Sequence, residues 1–174
     1  MAVSKVITAR RKSKRSRIFP VSLLVAAALL PGCGASRASN GGGHGGPAAV
    51  MNPAARDAFE LVNAQRLTHD ARPLKISDRC VAAAQSHAEN QAGRKTLSHD
   101  SLTESFAARM KRWGLLRWPV AENIGRGPTA SAVVDSWMKS PRHRANMLNP
   151  VYASAGVGST GDTYTLCLSG DSGT

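Results

Sequence analysis

From Ser136 to Leu148 the chain reads Ser-Trp-Met-Lys-Ser-Pro-Arg-His-Arg-Ala-Asn-Met-Leu, and no other stretch restricts its folding as much. Trp137 is a large anchor at the end of a helical pattern. Pro141 disfavours the α region in Ser140 and so stops that helix. The same pair suits a new start, with Ser140 as N-cap and Pro141 at the first helical position. His143 then falls in the first turn of a short second helix, flanked by Arg142 and Arg144, with Met147 and Leu148 as its apolar grip. Asn149-Pro150 ends it. A histidine held this way reads equally as an oriented functional imidazole or as a packing residue between two arginines.

Helices precede this stretch. A first pattern from Pro53 to about Thr68 places Ala55, Phe59, Val62 and Arg66 on one face, with Asn52 as N-cap. A second, from Asp78 to about Ala92, carries Val81, Ala84, Ala88 and Ala92 along one stripe and stops at Gly93. His87 lies next to that stripe and reads as a packing residue. Ser101-Leu102-Thr103-Glu104 has the form of a capping box, which predicts a third helix running to Trp113. Thr129 or Ser131 opens a fourth, leading into Trp137. The period then changes. Tyr152 to Ser159 and Thr163 to Ser169 read as two strands joined at Gly161-Asp162. Helices first and a small antiparallel sheet late predict an α+β layered domain.

The charge of +12 is unevenly placed: residues 1–33 carry seven basic residues and no acidic one, whereas residues 51–174 carry 15 basic and 11 acidic. The excess belongs to a basic leader followed by an apolar run from Ile18 to Leu30, too short to span a bilayer as a helix. That removes most of the support for a nucleic-acid partner. Leu30-Pro31-Gly32-Cys33 resembles a bacterial lipobox, so residues 1–33 read as a lipoprotein signal with Cys33 as the lipidated residue. Ordinary secretion with cleavage at another small residue is the alternative. Residues 34–50, rich in Gly, Ser and Asn, read as a flexible tether with an average reach of about 20 Å. The folded domain is expected over 51–174, held at the bacterial membrane through the lipid. Cys80 and Cys167 remain; export permits a disulfide between them, and two separate buried thiols fit the sequence as well.

Read in order, Ser98-His99, Ala121-Glu122-Asn123-Ile124, Trp137, Ser140 to Leu148 and Gly156-Val157-Gly158 resemble the CAP superfamily of cysteine-rich secretory, antigen 5 and pathogenesis-related 1 proteins, in its bacterial SCP-like extracellular branch. The resemblance covers about residues 55–169. It implies an α-β-α sandwich with a small three-stranded antiparallel sheet, the third strand lying near Val120–Gly125. It also implies a cleft in which His99, Glu122 and His143 converge. Ser140 stands where many eukaryotic members have a second glutamate. Two neutral imidazoles and a carboxylate suit a divalent metal such as Zn²⁺ with one open position. Equally, Glu122 can accept an N–H from one histidine and fix its tautomer with no metal. The reading prefers the polar cleft without tight metal binding, with His99 and His143 as the metal-ligating pair in the other case.

Three functions fit these residues. The first is a membrane-tethered module that binds a small molecule, lipid or protein partner at the cell surface. The second is a metal-dependent, protease-like hydrolase using the same cleft; neither Ser98 nor Ser140 stands in a recognised nucleophile turn. The third is a structural envelope protein, which the desolvation cost of a buried His–Glu–His group argues against. The binding module is the preferred reading, and no catalytic residue is assigned.

Overall fold

Asn52 opens the first helix as its spacing predicts, its side-chain oxygen accepting the Ala55 N–H at 2.9 Å. The computed structural model describes residues 3–7 and 50–171; the apolar run, Cys33 and the tether lie outside them. The chain order is β1 (Val3–Ile7), α1 (Pro53–Leu67), β2 (Lys75–Ile76), α2 (Asp78–Gln91), α3 (Phe106–Arg112), β3 (Val120–Arg126), α4 (Ala130–Lys139), α5 (Pro141–Leu148), β4 (Ser154–Thr160) and β5 (Thr163–Ser169). Ser77, Ser105 and Thr129 cap α2, α3 and α4 through their side-chain oxygens. Ser140 ends α4 and begins α5, without a side-chain cap bond.

The strands form one sheet in the order β1-β3-β5-β4-β2. Its centre is the expected antiparallel trio: β5 pairs with β3 from Val120↔Ser169 to Arg126↔Thr163 and with β4 from Ser154↔Ser169 to Thr160↔Thr163. Gly161 turns the hairpin at φ 59°, a conformation that glycine adopts without strain.

One face of the sheet carries a core built from α1, α4 and α5, including Phe59, Val62, Trp137 and Met147 against Ala121, Val157, Leu166 and Leu168. The other face carries Cys80, Ala83, Ala84, Phe106 and Met110 of α2 and α3 against Val120 and Cys167. Alternate residues of each strand serve the two cores, as the period of two requires. The result is an α-β-α sandwich. Gly156 lets α2 lie directly on β4, because a Cβ there would run into the Val81 backbone. Cys80 and Cys167 are joined by a disulfide that ties α2 to β5, with Cα atoms 5.2 Å apart.

The arginine on the inward stripe of α1 has a structural task. Arg66 is fully buried and donates to the carbonyls of Arg72 at 2.7 Å, Met147 at 2.6 Å and Asn149 at 3.2 Å. It gathers the chain ends after α1 and α5.

Two expectations need correction. The sheet has five strands, not three. A two-residue parallel strand, β2, joins the β4 edge at Lys75↔Ser154 and Ile76↔Ala155. β1 joins the β3 edge, although its residues belong to the segment read as a signal. Val-Ser-Lys-Val-Ile is rich in β-branched residues, and the β3 edge offers unpaired main-chain groups that such a segment satisfies. Finally, α3 begins at Phe106, not after Ser101. Ser101 and Glu104 instead close a turn, with the Glu104 N–H donating to Ser101 Oγ at 2.8 Å and the Ser101 N–H to the Glu104 carbonyl at 2.8 Å. Glu104 spends its carboxylate on Arg112 at 2.9 and 2.7 Å, so it caps no helix start.

Candidate functional site

Glu122 and Asn123 are neighbours on β3, so their side chains leave by opposite faces of the sheet. Glu122 points into the layer of α2 and α3. It is completely buried, and both its oxygens are engaged. Oε1 accepts from Nδ1 of His99 at 2.9 Å, and Oε2 accepts from Nη2 of Arg109 at 2.7 Å. Arg109 also donates twice to the His99 carbonyl, at 3.2 and 3.1 Å. One arginine thus fixes the carboxylate and the backbone of the histidine that the carboxylate orients. This is a charge-assisted network with its partners in place, the condition under which a carboxylate tolerates full burial.

His99 follows from this arrangement. Its Nδ1 carries the hydrogen donated to Glu122, so in the neutral ring Nε2 is an acceptor. That Nε2 is buried and has no hydrogen-bond partner among the described residues. The ring stands edge-on to Phe106, centroids 6.2 Å apart. The loop beside it exposes Leu102 almost entirely, at 87%.

His87 belongs to the same cluster. Its Nε2 donates to the Ser98 carbonyl at 2.9 Å and lies 3.8 Å from Glu122 Oε1. Burial holds its imidazole below the ordinary histidine value; Arg109 and His99 push the same way, while Glu122 and the Ser98 carbonyl oppose. The sequence reading of His87 as a packing residue describes its burial but omits its position behind the His99–Glu122 pair.

His143 reaches the sheet from the other layer. It is buried in the first turn of α5, and its carbonyl accepts from Asn123 Nδ2 at 3.1 Å. Asn146, one turn further, donates to Asn123 Oδ1 at 2.9 Å. Ser140 is half-buried at the joint of α4 and α5, its main-chain N–H donating to the Trp137 carbonyl. The structure therefore brings His99 and Glu122 into direct contact from the α3 side. It sets His143 and Ser140 on the α5 side, with β1 packed against α5 and along the β3 edge.

The donor set does not fit a three-ligand zinc site. A catalytic zinc takes three protein ligands and leaves a fourth position open. Both oxygens of Glu122 are held by His99 and Arg109, which makes it an orienting group. Among the described residues no three His, Cys, Asp or Glu side chains are grouped as such a site requires.

Sequence reasoning missed Arg109. Its signal was available: Phe106, Arg109 and Met110 share the inward face of α3 at spacings of three and four, and all three are buried. A charged residue on an otherwise apolar helical stripe calls for a buried partner of opposite sign.

Comparison with known proteins gives three kinds of likeness. Residues 59–167 match the cysteine-rich secretory protein family, CAP. The chain is 35% identical over 105 residues to the uncharacterized protein YkwD of Bacillus subtilis (strain 168), covering 59% of this chain and 41% of that protein. Among solved structures, it is similar to an extracellular protein containing a SCP domain from Bacillus anthracis, with TM-score 0.62 and 26% identity over 68% of this chain and 41% of that one. Two more distant structures share the fold. A cysteine-rich secretory protein from Staphylococcus aureus has TM-score 0.58 at 21% identity, covering 67% of this chain and 38% of that one. An outer surface protein from Borrelia burgdorferi has TM-score 0.58 at 17% identity, covering 66% and 90%. The chain spans less than half the length of YkwD and of the Bacillus anthracis protein.

Proposed function

The chain belongs to the cysteine-rich secretory protein (CAP) family, and from that premise we propose that it is an exported, membrane-tethered module that binds a partner beside β3. The observation that carries this reading is His99. Glu122 fixes its Nδ1 at 2.9 Å, while its buried Nε2 has no hydrogen-bond partner among the described residues. An oriented acceptor without a partner costs free energy unless a ligand supplies a donor. Exposed Leu102 adds an apolar contact on the same loop.

Location follows from the leader. Cys33 carries the lipid, and the Gly-rich segment behind it holds the domain off the membrane. The similar proteins described as extracellular or as an outer surface protein support that placement. Among the described residues no helix is long and apolar enough to cross a membrane.

Two measurements test the proposal. Cys33→Ser is expected to move the protein from the membrane fraction to the medium; unchanged membrane retention and processing would refute the lipid anchor. A photo-crosslinking residue at Leu102 is expected to give one discrete adduct on intact cells, lost in a His99→Ala background. Chelator-sensitive peptide hydrolysis abolished by His99→Ala would favour the hydrolase reading in its place.

A further inference from the structure

We propose that removal of the export segment turns the β3 edge into a strand-addition site for an extended peptide with a central Lys or Arg, for which Val3–Ile7 of the unprocessed chain is the placeholder. The proposal rests on the export reading above. It goes beyond it by naming the partner's chemistry and the main-chain surface that takes it.

The pairing is regular. β1 runs antiparallel to β3 from Val3↔Ile124 to Ile7↔Val120, while β5 holds the other side of β3. Every β3 residue from Val120 to Ile124 is fully buried with β1 in place. If residues 1–32 are cleaved, β3 loses that partner. Alternate N–H and C=O groups then face a trough between the His99–Phe106 side and α5, which packs against β1. An edge of this kind is a template for another strand. Main-chain bonds would supply the affinity and alternate side chains the selectivity.

The selectivity can be read from the placeholder. Lys5 stands opposite Glu122 in the register. Its Nζ lies 3.6 Å from Asp100 Oδ1 and 5.7 Å from the Phe106 ring centroid. A carboxylate beside an aromatic face is a receptor for an ammonium or guanidinium group. The Phe106 N–H, bonded to Asp100 at 2.7 Å, holds that carboxyl below its usual range, with Lys5 adding to the effect. The next register position asks for little, since Val6 is 52% exposed.

A second copy of the chain fits less well. Paired antiparallel about Glu122, its own β3 would set a carboxylate where the placeholder sets Lys5 and leave Asp100 without that cation. The occupant favoured by charge is a basic, β-branched extended segment of another protein.

The test uses processed protein purified from producing cells, with its N-terminus sequenced. The probe is a fluorescein-labelled Ala-Val-Ser-Lys-Val-Ile-Thr peptide, the sequence of residues 2–8. Saturable one-to-one binding by anisotropy is expected, with amide shifts confined to residues 120–124 and their neighbours. Replacing the peptide lysine by glutamate, or Asp100→Asn in the protein, is expected to weaken binding about two- to fivefold, the scale of one partly exposed ion pair. N-methylation of alternate peptide residues should abolish binding for one alternating set only. A mature terminus at Cys33 with no saturable binding overturns this proposal alone, as does self-association through β3 in place of peptide binding. A terminus that retains Val3 overturns the export reading, and the proposal with it.

Discussion

Nη2 of Arg109 and Oε2 of Glu122 stand 2.7 Å apart, with one side chain 1% exposed and the other not at all. The pair joins a short helix, α3, to strand β3 and fixes the histidine between them. Its importance lies in what remains when one member is removed. A buried ion pair is weak evidence of stability in itself, whereas breaking one leaves an uncompensated charge in a medium that solvates it poorly.

Arg109→Leu is therefore expected to destabilise the domain by about 3–5 kcal/mol. The double variant Arg109→Leu with Glu122→Gln should recover part of that loss, since the stranded charge is gone. Urea unfolding of the three proteins checks this. A single variant as stable as the parent would mean that solvent reaches Glu122.

His87 gives the pH dependence its sign. Burial lowers its folded-state value, so it is neutral in the fold and protonates more readily in the unfolded chain. The unfolded state then binds more protons, and stability falls as pH drops. The contribution is fully present above the unfolded value of about 6.5 and is lost as pH falls toward the depressed folded value. His87→Gln keeps a donor for the Ser98 carbonyl and removes the titration. Its unfolding free energy should vary less between pH 7.5 and pH 5.5 than that of the parent. Equal slopes would remove His87 from the account.

Much of this arrangement is legible in the sequence, for reasons that differ by residue. Asn52, Ser77 and Thr129 announce helix starts because capping is local chemistry. His99 and Glu122 are found through the motifs that carry the family resemblance. β1 is not legible: three β-branched residues with a serine and a lysine, inside a basic leader, become a strand only because β3 has an open edge. The start of α3 fails for a related reason. Ser101 and Glu104 have the capping-box spacing, but Asp100 takes the Phe106 N–H at 2.7 Å and Arg112 takes the Glu104 carboxylate. Arg109 was visible as an inward-facing charge, but its partner lies on another element.

The Cys80–Cys167 bond closes a loop with a sequence separation of 87. The chain-entropy model gives roughly 4–5 kcal/mol for a loop of that size. Thiol counting on the denatured, unreduced protein is expected to find neither cysteine free. The Cys80→Ala, Cys167→Ala double variant should lose stability of that order in urea unfolding. Two reactive thiols in the unreduced protein would exclude the bond.

Zinc affinity follows from the engagement of Glu122. With its oxygens held by His99 and Arg109, the carboxylate is an orienting group, and a metal at Nε2 of His99 would lack the three-ligand set. Calorimetric titration of the processed protein with zinc is expected to give an affinity weaker than about 1 μM, corresponding to roughly 8 kcal/mol. His99→Ala should remove whatever binding is measured, because its Nε2 is the acceptor that Glu122 orients. Arg109→Leu should strengthen it, because the carboxylate then loses its competing cation and gains freedom to coordinate. Stoichiometric binding well below 1 μM in the parent would mean that Glu122 releases Arg109 when metal arrives. The hydrolase reading would then recover an activated water. Parent binding insensitive to His99→Ala would place the zinc away from β3 altogether.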